Sequence, residues 1–215
     1  MLFRSGLALT GIAAFAVVST PLGNLFFQIE DGGIRGMTPL GWIAMFAPLG
    51  FVLVLSLGVN RLSTTAAQAL FWAFCAAMGA SLTNIFLIYT SESIVRVFFI
   101  TAATFGAMSL WGYTTKSDLS RMGSFLMMGL FGIVIAGLAN IFFQSSALQF
   151  AISIIGVVVF TGLTAYDTQR IKDLYTAGED NVLTGKKAIM GALALYLDFL
   201  NLFLMMMQLF GNRRN

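Results

Sequence analysis

The residue best suited to chemistry in this chain is Asp198, which interrupts the apolar segment Ala-Leu-Tyr-Leu-Asp-Phe-Leu-Asn-Leu-Phe. A charged carboxylate inside a lipid bilayer is costly unless it is hydrated or paired. We therefore expect Asp198 to face the interior of a helix bundle, where it can bind a proton or a cation. The alternative role is a purely structural hydrogen bond.

Polar and small side chains recur on one face of the same segment. Steps of three and four residues keep to one side of an α-helix. They select the positions Lys187, Gly191, Ala194, Asp198, Asn201, Met205 and Gln208. The pattern predicts an α-helix with one polar face, and it makes Asn201 and Gln208 candidates for the lining of a pore.

A second carboxylate, Asp167, lies near the end of the preceding apolar segment. Thr164, a third candidate for the pore lining, lies one turn before it, and Arg170 lies one turn after it. Two like charges in a medium of low dielectric constant cannot both ionise cheaply, so a contact between Asp167 and Asp198 would titrate as a coupled pair. Such a pair can sense protons in a chain without histidine. The alternative for Asp167 is a helix-end charge paired with Arg170.

Composition identifies the medium around these residues. Of the 215 residues, 58% are hydrophobic and 10% are charged, and the mean hydropathy is +0.88. An ordinary soluble domain has roughly 25% charged residues, so this chain has too few charges to cover a soluble surface. The balance excludes a disordered chain, a disulfide scaffold and a nucleic-acid module.

Seven apolar segments are long enough to cross a bilayer, for which about 20 residues are needed. They are Gly6–Phe27, Leu40–Val59, Ala66–Tyr89, Ile94–Tyr113, Met122–Phe142, Leu148–Arg170 and Ala188–Phe210. Backbone polar groups in lipid must be satisfied within the segment, so each is predicted to be an α-helix. We expect an all-α, multi-pass integral membrane protein with one seven-helix transmembrane domain over residues 1–215.

Charges between the segments predict their orientation. Met1–Arg4 and the apolar run after it resemble a signal peptide, but the run is long enough to span, and we expect it to be the first helix. With the amino terminus in the cytoplasm, eight lysine and arginine residues lie on the cytoplasmic side and four on the other. This orientation makes Ile171–Lys187 a long, charged cytoplasmic loop.

The predicted helix ends leave the two aspartates at different depths. Asp198 lies about ten residues inside the seventh helix, whereas Asp167 lies at most about one turn inside the sixth. A direct contact between them therefore requires an offset of the helices, a kink, or a loop that dips inward.

Longer motifs surround both aspartates. Tyr-Asp-Thr-Gln-Arg-Ile-Lys, which contains Asp167, and Leu-Tyr-Leu-Asp-Phe-Leu-Asn-Leu-Phe, which contains Asp198, resemble the end of the transmembrane Bax inhibitor motif family. The resemblance extends upstream through Gly79–Thr83, Tyr89–Ile94 and Trp111–Ser120, and it covers roughly residues 66–210.

The resemblance implies a fold and a function. Family members have seven helices, the last of which is central and wrapped by the other six, and bacterial members are regarded as pH-sensitive calcium leak channels. Their proposed proton sensor is an aspartate pair that matches Asp167 and Asp198. An arginine at the end of helix two latches the closed state by contacting the first aspartate, and Arg61 is its match here.

The chain also departs from the family pattern. Gln208 occupies the position of an arginine that, in the best-known bacterial form, pairs with a glutamate on helix two, and helix two contains no acidic residue here. The loop between the aspartates is longer, and the polar segment before helix one is nearly absent. We therefore expect a short or truncated member of the family that lacks this second latch.

The leading hypothesis is a calcium leak pathway of a bacterial inner membrane, gated by Asp167 and Asp198. Calcium prefers about six to eight oxygen ligands, so two carboxylates with Asn201, carbonyls and water would form only a weak, transient site. Weak binding suits conduction, because the ion must also leave. Calcium is then the transported ion and protons are the regulator.

Other expectations follow from the same hypothesis. No enzymatic activity and no tightly bound cofactor are expected. The partners are the lipid bilayer and calcium ions, without nucleic acid, and a monomer suffices.

Two other functions remain open. Two membrane aspartates on consecutive helices can share a proton and activate water, as in an intramembrane aspartyl protease, and Tyr166-Asp167 is similar to the Tyr-Asp of presenilin-like enzymes. Against this function, Asp198 lacks the preceding Gly-x-Gly of such enzymes, since Tyr196-Leu197 fills that space. The other function is a stress or cell-death regulator without transport of its own, for which Ile171–Lys187 would be the docking loop.

Overall fold

The computed structural model describes residues 2–30, 33–59, 61–176 and 181–214. Within these residues the chain forms eight helices and one two-stranded antiparallel hairpin. In chain order they are α1 (Leu2–Ser19), α2 (Gly23–Phe26), β1 (Phe27–Glu30), β2 (Gly33–Met37), α3 (Pro39–Gly58), α4 (Thr64–Ile88), α5 (Ser91–Thr114), α6 (Ser120–Phe143), α7 (Ser146–Thr176) and α8 (Asn181–Phe210).

Seven of these helices are long and apolar enough to cross a membrane, namely all of them except the four-residue α2. They correspond in order to the seven predicted segments, so the prediction of an all-α, multi-pass integral membrane protein is confirmed. Large apolar side chains such as Leu57, Phe142 and Phe143 are exposed, and in a membrane protein they contact the lipid bilayer.

The first membrane helix is shorter than predicted. α1 ends at Ser19 rather than Phe27, and a turn, α2 and the start of β1 occupy the difference. Thr20 precedes Pro21, and the proline ring disfavours the helical conformation of the residue before it. Hydropathy alone does not predict the end of α1 at Ser19, because Leu22, Leu25 and Phe26 continue the apolar run.

The predicted loop Ile171–Lys187 is largely wrong. α7 continues to Thr176 and α8 begins at Asn181, so residues 171–176 and 181–187 are helical, and residues 177–180 lie outside the described part of the chain. Lysine and leucine have good helix propensity, so the helices continue where the apolar segments stop. Hydropathy predicts where the apolar segments end, whereas the helices end where their backbone hydrogen bonds end.

The described residues divide into two compact units. The first contains α1 to α4, the hairpin and α8 up to Leu193; the second contains α5, α6, α7 and α8 from Ala194. The prediction of a single domain over residues 1–215 stays a prediction.

In the first unit α1 and α4 approach closely through small residues. The hydroxyl of Thr10 donates to the carbonyl oxygen of Cys75 at 3.0 Å. A Cβ atom on Gly79 would lie 2.5 Å from the Thr10 carbonyl oxygen and 2.6 Å from the Ala13 Cβ atom. The glycine therefore permits the two backbones to meet, as small residues do in membrane bundles.

In the second unit α5, α6 and α8 pack on α7 or on one another. Gly112 of α5 lies against the backbone of Ala165 in α7, and Gly123 of α6 lies against the Tyr166 ring. Phe105 of α5 packs edge to face on Phe199 of α8, with ring centroids 5.4 Å apart. The contacts of Gly112 and Gly123 lie on the turn of α7 that precedes Asp167.

α8 is the most buried of the seven membrane helices. In its apolar window 56% of the residues are buried, compared with 11–39% in the other six. Side chains between the positions of its polar face, including Tyr196 and Leu202, are also fully buried. Such burial is what the family resemblance led us to expect of the last helix.

Candidate functional site

The two aspartates singled out in the sequence lie together in the second unit. The carboxyl groups of Asp167 on α7 and Asp198 on α8 lie close enough to form a hydrogen bond with each other. A carboxylate has only acceptor oxygens, so a hydrogen bond between two carboxyl groups requires one of them to carry a proton. Both helices are continuous through these residues, and the contact is therefore made without a helix break.

One oxygen of the pair is deeply buried. Asp198 is only 5% exposed, whereas Asp167 is half-buried. The Oδ2 atom of Asp198 is buried and has no hydrogen-bond partner among the described residues. A buried polar atom without a partner is destabilising, so this oxygen is an available acceptor for a proton, a water molecule or a cation.

The positive charge that acts on Asp167 from α7 is that of Arg170. It lies one turn after Asp167, is exposed, and attracts the charged form of the Asp167 carboxyl. The carboxyl group of Asp198 also acts on that of Asp167. Both Asp198 and Arg170 act on Asp167, so its role, in a carboxyl pair or as a helix-end charge beside Arg170, stays a prediction.

Two of the candidate pore-lining residues flank the pair. Thr164 is fully buried, and its hydroxyl donates to the Phe160 carbonyl oxygen at 2.8 Å. Asn201, one turn after Asp198 on α8, donates its amide nitrogen to the Leu197 carbonyl oxygen at 2.8 Å. Thr164 uses its one hydroxyl donor and Asn201 uses one of its two amide donors within its own helix, and the oxygen lone pairs remain for other partners.

The sequence profile of the family described as inhibitor of apoptosis-promoting Bax1 matches residues 1–215, the whole chain and both aspartate motifs included. The chain belongs to the Bax inhibitor-1 family. The resemblance seen in the motifs is thereby confirmed.

Bacterial relatives agree with the assignment to the Bax inhibitor-1 family. A protein of Rickettsia prowazekii is 49% identical over 210 residues, which are 97% of this chain and 85% of the relative. The inner membrane protein YbhL of Escherichia coli K12 is 50% identical over 175 residues, 79% of this chain and 74% of the relative. A membrane protein of Streptococcus pyogenes is 39% identical over 154 residues, 72% of this chain and 67% of the relative.

The third candidate, Gln208, lies apart from the aspartates in this Bax inhibitor-1 family protein. It is ten residues beyond Asp198 on α8, about 15 Å along the axis. Its Oε1 atom accepts from the Ser153 hydroxyl at 2.7 Å and from the Gln149 side-chain amide, both on α7. Gln149 in turn accepts from Asn140 of α6 at 3.1 Å.

An amide cluster joins α6, α7 and α8. It consists of Asn140, Gln149, Ser153 and Gln208. Sequence reasoning missed its α6 and α7 members. The available signal was the spacing of Gln149 and Ser153, two polar residues one turn apart in an apolar segment. Interhelical hydrogen bonds of this kind hold membrane helices together.

Replacing Gln208 with leucine is expected to lower the free energy of unfolding by about 0.5–1.5 kcal/mol, because two interhelical hydrogen bonds are lost. Thermal unfolding in detergent measures the change. Gln208→Glu is the matched control, since it keeps an acceptor for Ser153 and Gln149. Altered ion selectivity in Gln208→Leu at unchanged stability would contradict this structural role and support the pore-lining one.

Arg61, the candidate latch, lies in the turn between α3 and α4. Its backbone nitrogen donates to the Gly58 carbonyl oxygen at 2.9 Å, and its side chain is exposed. It belongs to the first unit and the aspartates to the second. The latch therefore stays a prediction.

A third acidic residue, Asp118, differs in character from the pair. It lies exposed between α5 and α6, and its carboxylate accepts from the Ser120 backbone nitrogen at 2.9 Å. Hydrogen bonds from the side chain and the backbone of Ser120 lower the pKa of Asp118 below its usual value. Its contribution to stability is thus present above the usual pKa and is lost as the pH falls through the lowered one. Asp118 stays ionised at neutral pH.

Few ligands are available for a tightly bound metal. Among the described residues no group of three histidine, cysteine or acidic side chains gathers within reach of one ion. An ion at the Asp167–Asp198 pair would have two carboxylates, and its other ligands would be amide, hydroxyl, carbonyl or water oxygens.

Proposed function

We propose that this protein is a pH-sensitive calcium leak channel gated by the carboxyl pair of Asp167 and Asp198. The observation that carries the proposal is the proximity of two carboxyl groups on membrane helices, beside a buried oxygen that has no hydrogen-bond partner in the described part of the chain. Ionisable groups at membrane depth mark ion and proton pathways far more often than they serve packing. Membership of the Bax inhibitor-1 family supports the membrane setting.

Protonation closes the pathway in this proposal. At acidic pH the two carboxyl groups share a proton, and the hydrogen bond holds α7 and α8 together. As the pH rises the proton is lost, and two like charges in a medium of low dielectric constant repel each other. The same charges attract a divalent cation. Calcium flux therefore increases with pH.

In this proposal calcium binds weakly and transiently. The two carboxylates supply the charge, and Asn201 and Thr164 are polar side chains about one turn from Asp198 and Asp167, respectively. About six to eight oxygen ligands are needed for tight binding, so water must complete the shell and the ion can leave again. No tightly bound cofactor and no enzymatic activity are part of the proposal.

A latch by Arg61 would act with the opposite sign. If Arg61 holds the ionised Asp167 in the closed state, protonation of Asp167 removes the attraction and opens the pathway. The direction of the pH response therefore distinguishes the two gates. We propose the carboxyl pair as the gate, because its contact lies within one unit.

An intramembrane aspartyl protease would use the same two residues. Hydrolysis needs a water molecule and a peptide bond at the carboxyl groups. Asp198 is 5% exposed, and this burial favours a gated ion over a peptide substrate. Loss of transmembrane-substrate cleavage in Asp198→Ala would revive the protease.

The proposed location is the inner membrane of a bacterium, with the amino terminus in the cytoplasm. The name of the Escherichia coli relative, an inner membrane protein, supports the membrane, and the distribution of lysine and arginine supports the orientation. A monomer is sufficient for a gate formed by α7 and α8 of one chain.

The test is calcium flux into proteoliposomes over a series from about pH 5 to about pH 8. Wild-type flux is expected to rise with pH, and Asp167→Asn is expected to remain near the acidic level because an amide cannot lose the proton it donates. Asp118→Asn is the control, an exposed aspartate that should leave the response unchanged. A wild-type flux that falls with pH and loses this dependence in Arg61→Gln would favour the latch.

A further inference from the structure

The end of α7 that carries Asp167 is tied to the connection between α5 and α6 by one side chain, Gln169. Its amide nitrogen donates to the Ser117 carbonyl oxygen at 2.8 Å. Its amide oxygen accepts from the Leu119 backbone nitrogen at 2.9 Å. Gln169 thus satisfies a donor and an acceptor of the connecting segment at once, as a neighbouring strand would.

A second side chain on the same face of α7 reaches the end of α5. Lys172, three residues after Gln169, donates to the Tyr113 carbonyl oxygen at 2.8 Å, and its ammonium group lies 5.3 Å from the centre of the Tyr113 ring. Residues three apart on a helix share a face, so Gln169 and Lys172 act on adjacent parts of one segment.

The connecting segment has little apolar packing to hold it in place. Its exposed residues are Thr114, Lys116, Ser117 and Asp118. Leu119, which follows them, is buried. The segment and α7 border a polar cleft of about 550 Å³ that reaches Gln169 and Lys172. The hydrogen bonds of these two side chains therefore attach the exposed part of the segment to α7.

We propose that Gln169 is a positioning residue for the cation site: it fixes the turn of α7 that carries Asp167 at the place where Asp198 meets it. Asp167 precedes Gln169 by two residues, so a shift of this turn moves its carboxyl directly. The inference rests on the proposed function for its calcium readout. Gln169 itself is two residues from the carboxyl and acts through the helix.

The first measurement is the calcium concentration that gives half-maximal flux, at one fixed pH. Gln169→Met keeps the length of the side chain and removes both hydrogen bonds. Substitution of a residue that orients metal ligands typically lowers metal affinity by about 10- to 100-fold. We therefore expect Gln169→Met to raise the calcium concentration that gives half-maximal flux by roughly tenfold. Loss of folded protein alone would lower the maximal flux and leave the half-saturating concentration unchanged. Lys116→Met, an exposed residue of the same segment, is the matched control.

The second measurement does not depend on flux. Spin labels at cysteines replacing Lys116 and Asp173, in a Cys75→Ala background, report the distance between the segment and α7. The distribution is expected to broaden in Gln169→Met. An unchanged distribution, or an unchanged half-saturating calcium concentration, overturns the positioning role. If the wild-type protein conducts no calcium, the proposed function is wrong. If the wild type conducts calcium and Gln169→Met behaves like the wild type, only the positioning role is wrong.

Discussion

Replacing Asp198 with asparagine is expected to hold calcium flux at the acidic-pH level of the wild type throughout a pH series. The amide can donate permanently to Asp167, so the pair keeps its hydrogen bond and never carries two negative charges. At alkaline pH we expect flux at least roughly tenfold below the wild type, because one charge-assisted interaction is worth about 1.5–3 kcal/mol and about 1.4 kcal/mol corresponds to a factor of ten. The measurement is the initial rate of calcium entry into proteoliposomes of equal protein content.

Two comparisons make this result specific. Asp118→Asn removes an exposed carboxylate outside the membrane helices and should leave the pH dependence intact. Asp198→Glu keeps the charge with a longer side chain, and it should restore a pH response with altered amplitude. Wild-type pH dependence in Asp198→Asn would exclude the carboxyl pair as the gate, whatever the other variants do.

Replacing Gly112 with alanine is expected to destabilise the second unit, because the new Cβ atom would collide with backbone atoms of Ala165 in α7. Backbone atoms cannot rotate away, so α5 and α7 must separate next to the turn that carries Asp167. Overpacking of this kind costs typically about 1–3 kcal/mol. The thermal unfolding midpoint in detergent should fall accordingly, and the half-saturating calcium concentration should rise.

The same helix offers the control for this prediction. Gly106 of α5 has no heavy atom within 4 Å of an added Cβ atom. Gly106→Ala should therefore leave the unfolding midpoint unchanged or raise it slightly, since alanine favours a helix over glycine by about 0.5–1 kcal/mol. Equal destabilisation by the two substitutions would mean that the α5–α7 contact is not what Gly112 serves.

The seven membrane helices could be predicted from the sequence because the constraint is local. A segment surrounded by lipid must be apolar over about 20 residues and must satisfy its own backbone, and both requirements act on the segment alone. The burial of Asp198 could be predicted for the same reason, since the cost of a charge at membrane depth does not depend on which helix is next to it.

Helix ends were predicted less well. Hydropathy reports the boundary of the lipid, whereas a helix ends where its backbone hydrogen bonds end. α7 and α8 therefore continue through the charged residues predicted to be a loop, and α1 ends at Ser19 although the apolar run continues. The proline at position 21 was the local signal of that earlier end.

The sequence by itself determined the medium, the number of membrane helices and the two carboxylates most able to do chemistry in them. Only the tertiary structure decided that these carboxyl groups meet, because the contact depends on how far α7 and α8 are offset along their axes. It also decided the partners of Gln169 and Gln208. A polar side chain in a membrane helix must find a partner, and that partner belongs to another part of the chain, which spacing within one helix does not encode.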